Sequence, residues 1–125
     1  MSNKKDSTEK RKHKRFKAKE GAFAIVTSDY RKIGQIKNIS QDGLDLQYID
    51  NGEQLSGSVE VEIFSFAKDF YLKKLSAKVV RDSEVHSTVP FSSVPMRELV
   101  VRFGEMESNQ VYILDCFLQE YTTKR

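Results

Sequence analysis

The sequence predicts a mainly β fold, an antiparallel sandwich or small barrel, finished by one α-helix and preceded by a basic arm. Three observations carry that prediction. Apolar and polar residues alternate in several short segments between Ala22 and Phe103, the period of half-buried strands. Turn signals separate those segments, and no helical period lies between them. Only after Ser108 do the apolar residues fall three and four apart, as they do on one face of a helix.

The elements follow in order. Residues 1 to 10 hold no apolar side chain after Met1 and are expected to be disordered. Ala22 to Thr27 reads as a strand, Asp29 to Lys32 as a turn, and Ile33 to Ile39 as a second strand. Asp42-Gly43 signals the next turn, after which Leu44, Leu46 and Tyr48 alternate with Asp45 and Gln47. Asp50-Asn51-Gly52 is a further turn, and Val59, Val61 and Ile63 against Glu60 and Glu62 form the cleanest period-two run. Phe70 to Arg81 reads as a long strand or a pair. Asp82 to Pro95, with both prolines, reads as a loop, and Leu99, Val101 and Phe103 complete the sheet. Ser108 is the expected N-cap of a helix whose stripe is Val111, Leu114, Leu118 and Tyr121, widened by Phe117.

Composition narrows the function classes. A chain of 125 residues, 38% hydrophobic with eight Phe and five Tyr, buries a core without a disulfide or metal staple. Two His and one Cys are too few for the usual zinc set of four N or S ligands. The single Cys116 excludes an internal disulfide, which fits a reducing, cytoplasmic setting; its place beside the helix stripe points to packing rather than reactivity. No apolar run approaches the length of a membrane span, and no signal-peptide core opens the chain. Catalytic motifs are missing too: His13 and His86 have no nucleophile or regular carboxylate partner nearby in sequence, and Glu60 and Glu62 read as the wet face of a strand. No enzyme and no cofactor are expected. Asn38-Ile39-Ser40 is also a glycosylation sequon, without a secretory signal to make use of it.

Charge is divided unevenly. Residues 1 to 19 hold nine Lys or Arg against Asp6 and Glu9, a local +7, which leaves −4 on the remaining 106 residues of a chain whose total is +3. A basic arm on an acidic body seeks an anion: nucleic acid, an acidic membrane surface or a phosphorylated ligand. Within the arm, Arg11-Lys12-His13-Lys14-Arg15 sets two arginines four apart. Farther on, Asn38-Ile39-Ser40-Gln41-Asp42-Gly43 places Asn, Ser and Gly at a turn between strands. Arginine offers a planar fork to phosphate oxygens or to the O6/N7 edge of guanine. Asn, Ser and the amides of a tight glycine turn supply neutral hydrogen bonds that complete such a site. Asn38 and Ser40, two apart, share a face if the strand remains extended between them.

Together, RxxxR followed by (D/N)xSxxG resembles the two-part signature of the PilZ family, bacterial receptor domains for cyclic di-GMP. Arg11 and Arg15 match the first part; Asn38, Ser40 and Gly43 match the second. The interval from Arg15 to Asn38 holds one strand pair, as in the family. Ala77 to Arg81 is similar to the family's central strand, Leu99 to Phe103 to its last conspicuous one, and Leu114, Phe117 and Leu118 to the helix that often follows. The likeness covers roughly residues 10 to 121. Two departures are Val100, where members often carry Gly, and Lys10, where many members that bind a stacked ligand dimer carry Arg.

The resemblance implies a six-stranded antiparallel β-barrel with a C-terminal helix over 17–125 and a flexible arm over 1–16. It implies that Arg11 and Arg15 wrap the ligand, that Asn38 and Ser40 contact guanine or phosphate, and that Gly43, taking a positive φ, permits the turn presenting them. Arg81 is suggested by its strand position alone. The arm would order on binding and signal to a separate, unidentified partner protein, with no membrane insertion. Two alternatives rank below this reading. One is a PilZ-like interaction module that has lost its ligand. The other is a nucleic-acid-binding small barrel using Phe23, Tyr48 and Tyr71 as stacking residues, although aromatics at alternating positions are more often core.

Overall fold

A computed structural model describes residues 16–18, 21–65, 70–85, 94–120 and 122–124. The strands are β1 (Phe16–Ala18), β2 (Ala22–Thr27), β3 (Arg31–Ile39), β4 (Gly43–Ile49), β5 (Ser58–Ser65), β6 (Phe70–Glu84) and β7 (Met96–Phe103). Helix α1 (Ser108–Glu120) and the short β8 (Thr122–Lys124) follow. Six strands close into an antiparallel barrel in the order β2-β5-β6-β7-β4-β3, with β3 pairing back onto β2. The edge of β3 is used twice. Its first half, Arg31 to Gln35, pairs with β2, and its end, Asn38 and Ile39, pairs with β1, which carries β8 on its far side.

Period-two alternation does what the sequence suggests. In β2 the buried residues are Ala22, Ala24 and Val26, in β5 Val59, Val61 and Ile63, and in β7 Leu99, Val101 and Phe103. Burying each large aliphatic side chain among them contributes about 1.5–3 kcal/mol against the entropy of ordering the chain. Helix α1 covers one end of the barrel with Leu114, Phe117 and Leu118, all buried, and the Phe117 ring lies 4.9 Å from that of Phe70. Tyr121, the last residue of the expected stripe, lies outside the described residues.

Three local expectations change. The turn ends at Tyr30 and β3 begins at Arg31, because Arg31 and Lys32 register with Thr27 and Val26. Phe70 to Glu84 is one long strand, the first of the two readings, but it continues through Asp82, which the sequence assigns to the loop. It continues because Asp82 accepts hydrogen bonds from Tyr48 and Arg97, and Ser83 and Glu84 pair with Glu98 and Arg97. The third change lies at the helix start, one residue earlier than expected. The Glu107 carbonyl accepts the first helical bond from Val111, and the Gln110 side chain accepts from the Glu107 N–H at 2.9 Å. Glu107 is therefore the N-cap and Gln110 the reciprocal half of a capping box.

The barrel end away from α1 is held by polar groups. Lys32, 3% exposed, donates to Asn51 Oδ1 at 2.5 Å and sits 5.2 Å from the centre of the Tyr48 ring. Tyr48 Oη donates to Asp82 Oδ2 at 2.6 Å, and Arg97 Nε donates to Asp82 Oδ1 at 2.7 Å. Arg97 also donates to the Asp82 carbonyl at 2.8 Å and lies 3.7 Å from Asp50. Buried charges are tolerated when paired and hydrogen-bonded in this way. Tyr48, named above as a stacking candidate, is thus a core residue. Phe23 stacks on Phe64 with centroids 5.9 Å apart, and Tyr71 is exposed with its hydroxyl on Glu62. The three do not share one exposed face.

Candidate functional site

Asn38, Ser40 and Gly43 are brought together where β3 turns into β4. A bulge between Ile36 and Asn38 shifts the pairing register of β3, so the buried positions move from Ile36 to Ile39 and the chain bends before the turn. Asn38 then faces outward beside its β4 partner Asp45. Its backbone N–H donates to Asp45 Oδ1 at 2.9 Å, and its amide donates to Asp45 Oδ1 and Oδ2 at 3.4 and 3.2 Å. Asp45 is a buried carboxylate that orients the Asn38 amide.

The extended geometry ends at Ile39, so Asn38 and Ser40 are not the same-face pair that continued extension would give. Ser40 is buried. Its Oγ accepts from the Asp42 N–H at 3.0 Å, and its own N–H donates to the Gly43 carbonyl at 2.8 Å. Both bonds close the tight Ser40-Gln41-Asp42 turn, a local use of serine that sets backbone shape.

Gly43 corrects an expectation. Its φ is not positive, unlike those of Gly21, Gly52 and Gly57. Its requirement is space: a Cβ there would lie 2.1 Å from the Val101 carbonyl oxygen on β7. Glycine lets β4 approach β7 closely and leaves a flat patch of backbone on the outer surface.

Beyond the turn, the Gln41 side-chain amide donates to the Asp115 carboxylate of α1, tying the turn to the helix. Arg81 lies two strands from Asp45 in the same outward row, through Val100 of β7, and its Nη2 rests 3.3 Å from Glu98 Oε1. Arg11 and Arg15 lie outside the described residues, as do His13 and His86. Sequence reasoning missed Asp45 and Gln41. The alternation of β4 marks Asp45 as outward with Gly43, which was the available signal. Gln41 to Asp115 spans 74 positions, and no local pattern reports it.

Comparison with known proteins reports on the fold. No family model matches the chain, and no curated protein matches it. Among solved structures it is similar to the PilZ domain of YcgR from Escherichia coli with cyclic di-GMP. That likeness has a TM-score of 0.72 at 13% identity and covers 90% of this chain and 92% of that one. It is also similar to the inhibitor of motility MotI/DgrA of Bacillus subtilis, with a TM-score of 0.61 at 17% identity over 90% of this chain and 53% of that chain. A third likeness is to PlzA of Borreliella burgdorferi in complex with cyclic di-GMP, with a TM-score of 0.53 at 15% identity over 84% and 46%. At these identities what is shared is the architecture, and the chain has the fold of a PilZ domain: a six-stranded antiparallel barrel with one C-terminal helix.

Proposed function

We propose that this protein is a cyclic di-GMP receptor that binds its ligand between the Asn38–Gly43 turn and the basic arm, and that it acts as a receptor rather than a catalyst. The observation that carries this reading is the register of β1. Phe16 pairs with Ile39 and Lys17 with Asn38, so the chain enters β1 at the end of β3 that bears Asn38 and Ser40. Arg15 precedes Phe16 by one peptide, about 3.8 Å between Cα atoms, and Arg11 is one RxxxR spacing earlier. Arginine forks from the arm and the Asn38 amide from the barrel then converge on one anionic, guanine-bearing ligand. Gly43 supplies a surface with no side chain to obstruct it, and Ser40 fixes the turn. Arg81 is a further contact from the same outward face once released from Glu98.

Ordering the arm on the ligand is the output step, because it changes the surface offered to a separate partner protein. Two links on the barrel carry the change toward the C-terminal helix: β1 pairs with β8, and the turn is joined to α1 through Gln41 and Asp115.

Calorimetric titration of cyclic di-GMP into the wild type and Arg15→Ala, with GTP as control, tests the reading. Saturable binding at micromolar affinity or better is expected, with GTP silent. One lost charge-assisted contact is worth about 1.5–3 kcal/mol, so the variant should bind about tenfold to a hundredfold more weakly. Wild-type protein that shows neither heat nor saturation by a second method overturns the proposal.

A further inference from the structure

The outward face next to Gly43 carries two cations that the fold itself does not use. Gly43 registers with Arg102 on β7, and Arg102 registers with Lys78 on β6, with Ser58 of β5 next in the row. Lys78 and Arg102 are both exposed and stand directly opposite each other, where side chains on one face have Cβ atoms about 4.5–5.5 Å apart. Like charges in that arrangement repel and destabilise a sheet. Two carboxylates of that face are engaged elsewhere: Asp45 holds Asn38, and Glu98 holds Arg81; Glu60 stands diagonal to Lys78 on β5, with Ser76 as its own register partner. Among the described residues neither Lys78 nor Arg102 has an ion pair within 4.0 Å. An unneutralised, self-repelling pair set one and two strands from Gly43, on a body whose net charge is −4 outside the arm, is suited to an anion that bridges both.

We infer that Lys78 and Arg102 form a phosphate subsite of the Gly43 surface, holding the phosphodiester of the cyclic dinucleotide that faces away from the arm. The inference rests on the receptor reading above. The ligand carries two phosphodiesters; β1, which Arg15 precedes in sequence, lies on the Asn38 side of Gly43, and Arg102 and Lys78 lie on its other side, on β7 and β6. One phosphate then meets the arginines of the arm while the other screens the repulsion between Lys78 and Arg102, a contact that strengthens binding without any packing change.

The test pairs two readouts on Lys78→Gln, Arg102→Gln and the double variant, with Arg31→Gln as a control that removes an exposed positive charge at the opposite end of β3. Cyclic di-GMP affinity is measured by calorimetry at about 0.1 M salt, where exposed charges act over about 10 Å, and the melting temperature is measured without ligand. Each single variant should bind about fivefold to tenfold more weakly, as a partly exposed charge-assisted bond predicts, and Arg31→Gln should bind as the wild type does. The ligand-free variants should melt at the wild-type temperature or above it. If wild-type protein binds and the double variant binds equally well, or the control loses as much, the subsite is refuted and the receptor reading stands. Ligand-free variants that melt lower also refute it, because the pair then serves the fold. Wild-type protein that binds no dinucleotide removes the receptor reading and this inference with it.

Discussion

Replacing Gly43 with alanine separates two reasons for a glycine in the candidate turn. If conformation were the requirement, alanine would cost about 1–2 kcal/mol for left-handed backbone; the structure instead makes the requirement steric. The added Cβ would lie 2.1 Å from the Val101 carbonyl oxygen, whereas ordinary contact begins at 3.4 Å, so β4 and β7 must part by about 1.3 Å there. The obstacle is backbone and cannot rotate away. Parting the strands strains the Phe103 N–H bond to the Asp42 carbonyl (2.7 Å), worth about 1 kcal/mol. Overpacking adds about 1–3 kcal/mol, which brings the total to about 2–4 kcal/mol. Urea denaturation followed by far-ultraviolet circular dichroism reads this directly. With a slope near 1.5 kcal/mol/M, typical of small domains, the midpoint should fall by about 2 M. Gly52→Ala, at a φ of +96° with nothing within 4 Å, serves as the conformational comparison and should lose only about 1 kcal/mol. A Gly43→Ala midpoint within about 0.3 M of wild type, at unchanged slope, would refute the steric argument.

Two predictions concern the far end of the barrel. Asp82→Ala removes the carboxylate that pairs with Arg97, whose side chain is 8% exposed; Asp50 at 3.7 Å remains as weak compensation. A loss of about 3 kcal/mol in urea is expected, with the affinity of folded molecules for cyclic di-GMP unchanged, because Tyr48 and Gly43 are about 17 Å apart along β4. The second concerns alkaline pH. Burial, and then the hydrogen bond to Asp82, hold the Tyr48 hydroxyl pKa well above its usual 10.0. The folded protein therefore keeps a proton that the unfolded chain releases above pH 10. This contribution to stability is complete below pH 10 and declines above it by up to about 1.4 kcal/mol per pH unit. Denaturation series from about pH 8 to 11 should show a shallower decline in Tyr48→Phe than in wild type, and identical slopes would contradict the assignment.

Much of the barrel was legible because burial on one face writes itself as alternation. Val59 to Ile63 and Leu99 to Phe103 needed nothing beyond their own spacing. Lys32 was not legible. A lysine beside Tyr30 and Arg31 reads as a turn, and its burial depends on Asn51 and Tyr48, which only the folded barrel brings near. Asp82 was hidden for the same reason, since Tyr48 and Arg97 make a strand of what reads as a polar loop. At the candidate site, Asn38, Ser40 and Gly43 were found by motif, and the physical reasons differ from those the motif suggested. The bulge after Ile36 breaks the two-residue phase, and Gly43 answers to β7, whose approach no local pattern encodes.

The branch formed by β1 and β8 also bears on how the sheet meets other molecules. A ring of six paired strands has no open border, and β1 would otherwise present one beside the Asn38 turn. With β8 paired on it, that border moves to the outer side of β8. That border is three residues long, Thr122 to Lys124. A second molecule adding a strand there meets few N–H and C=O groups. The short β8 thus leaves little backbone for edge-to-edge aggregation beside the turn.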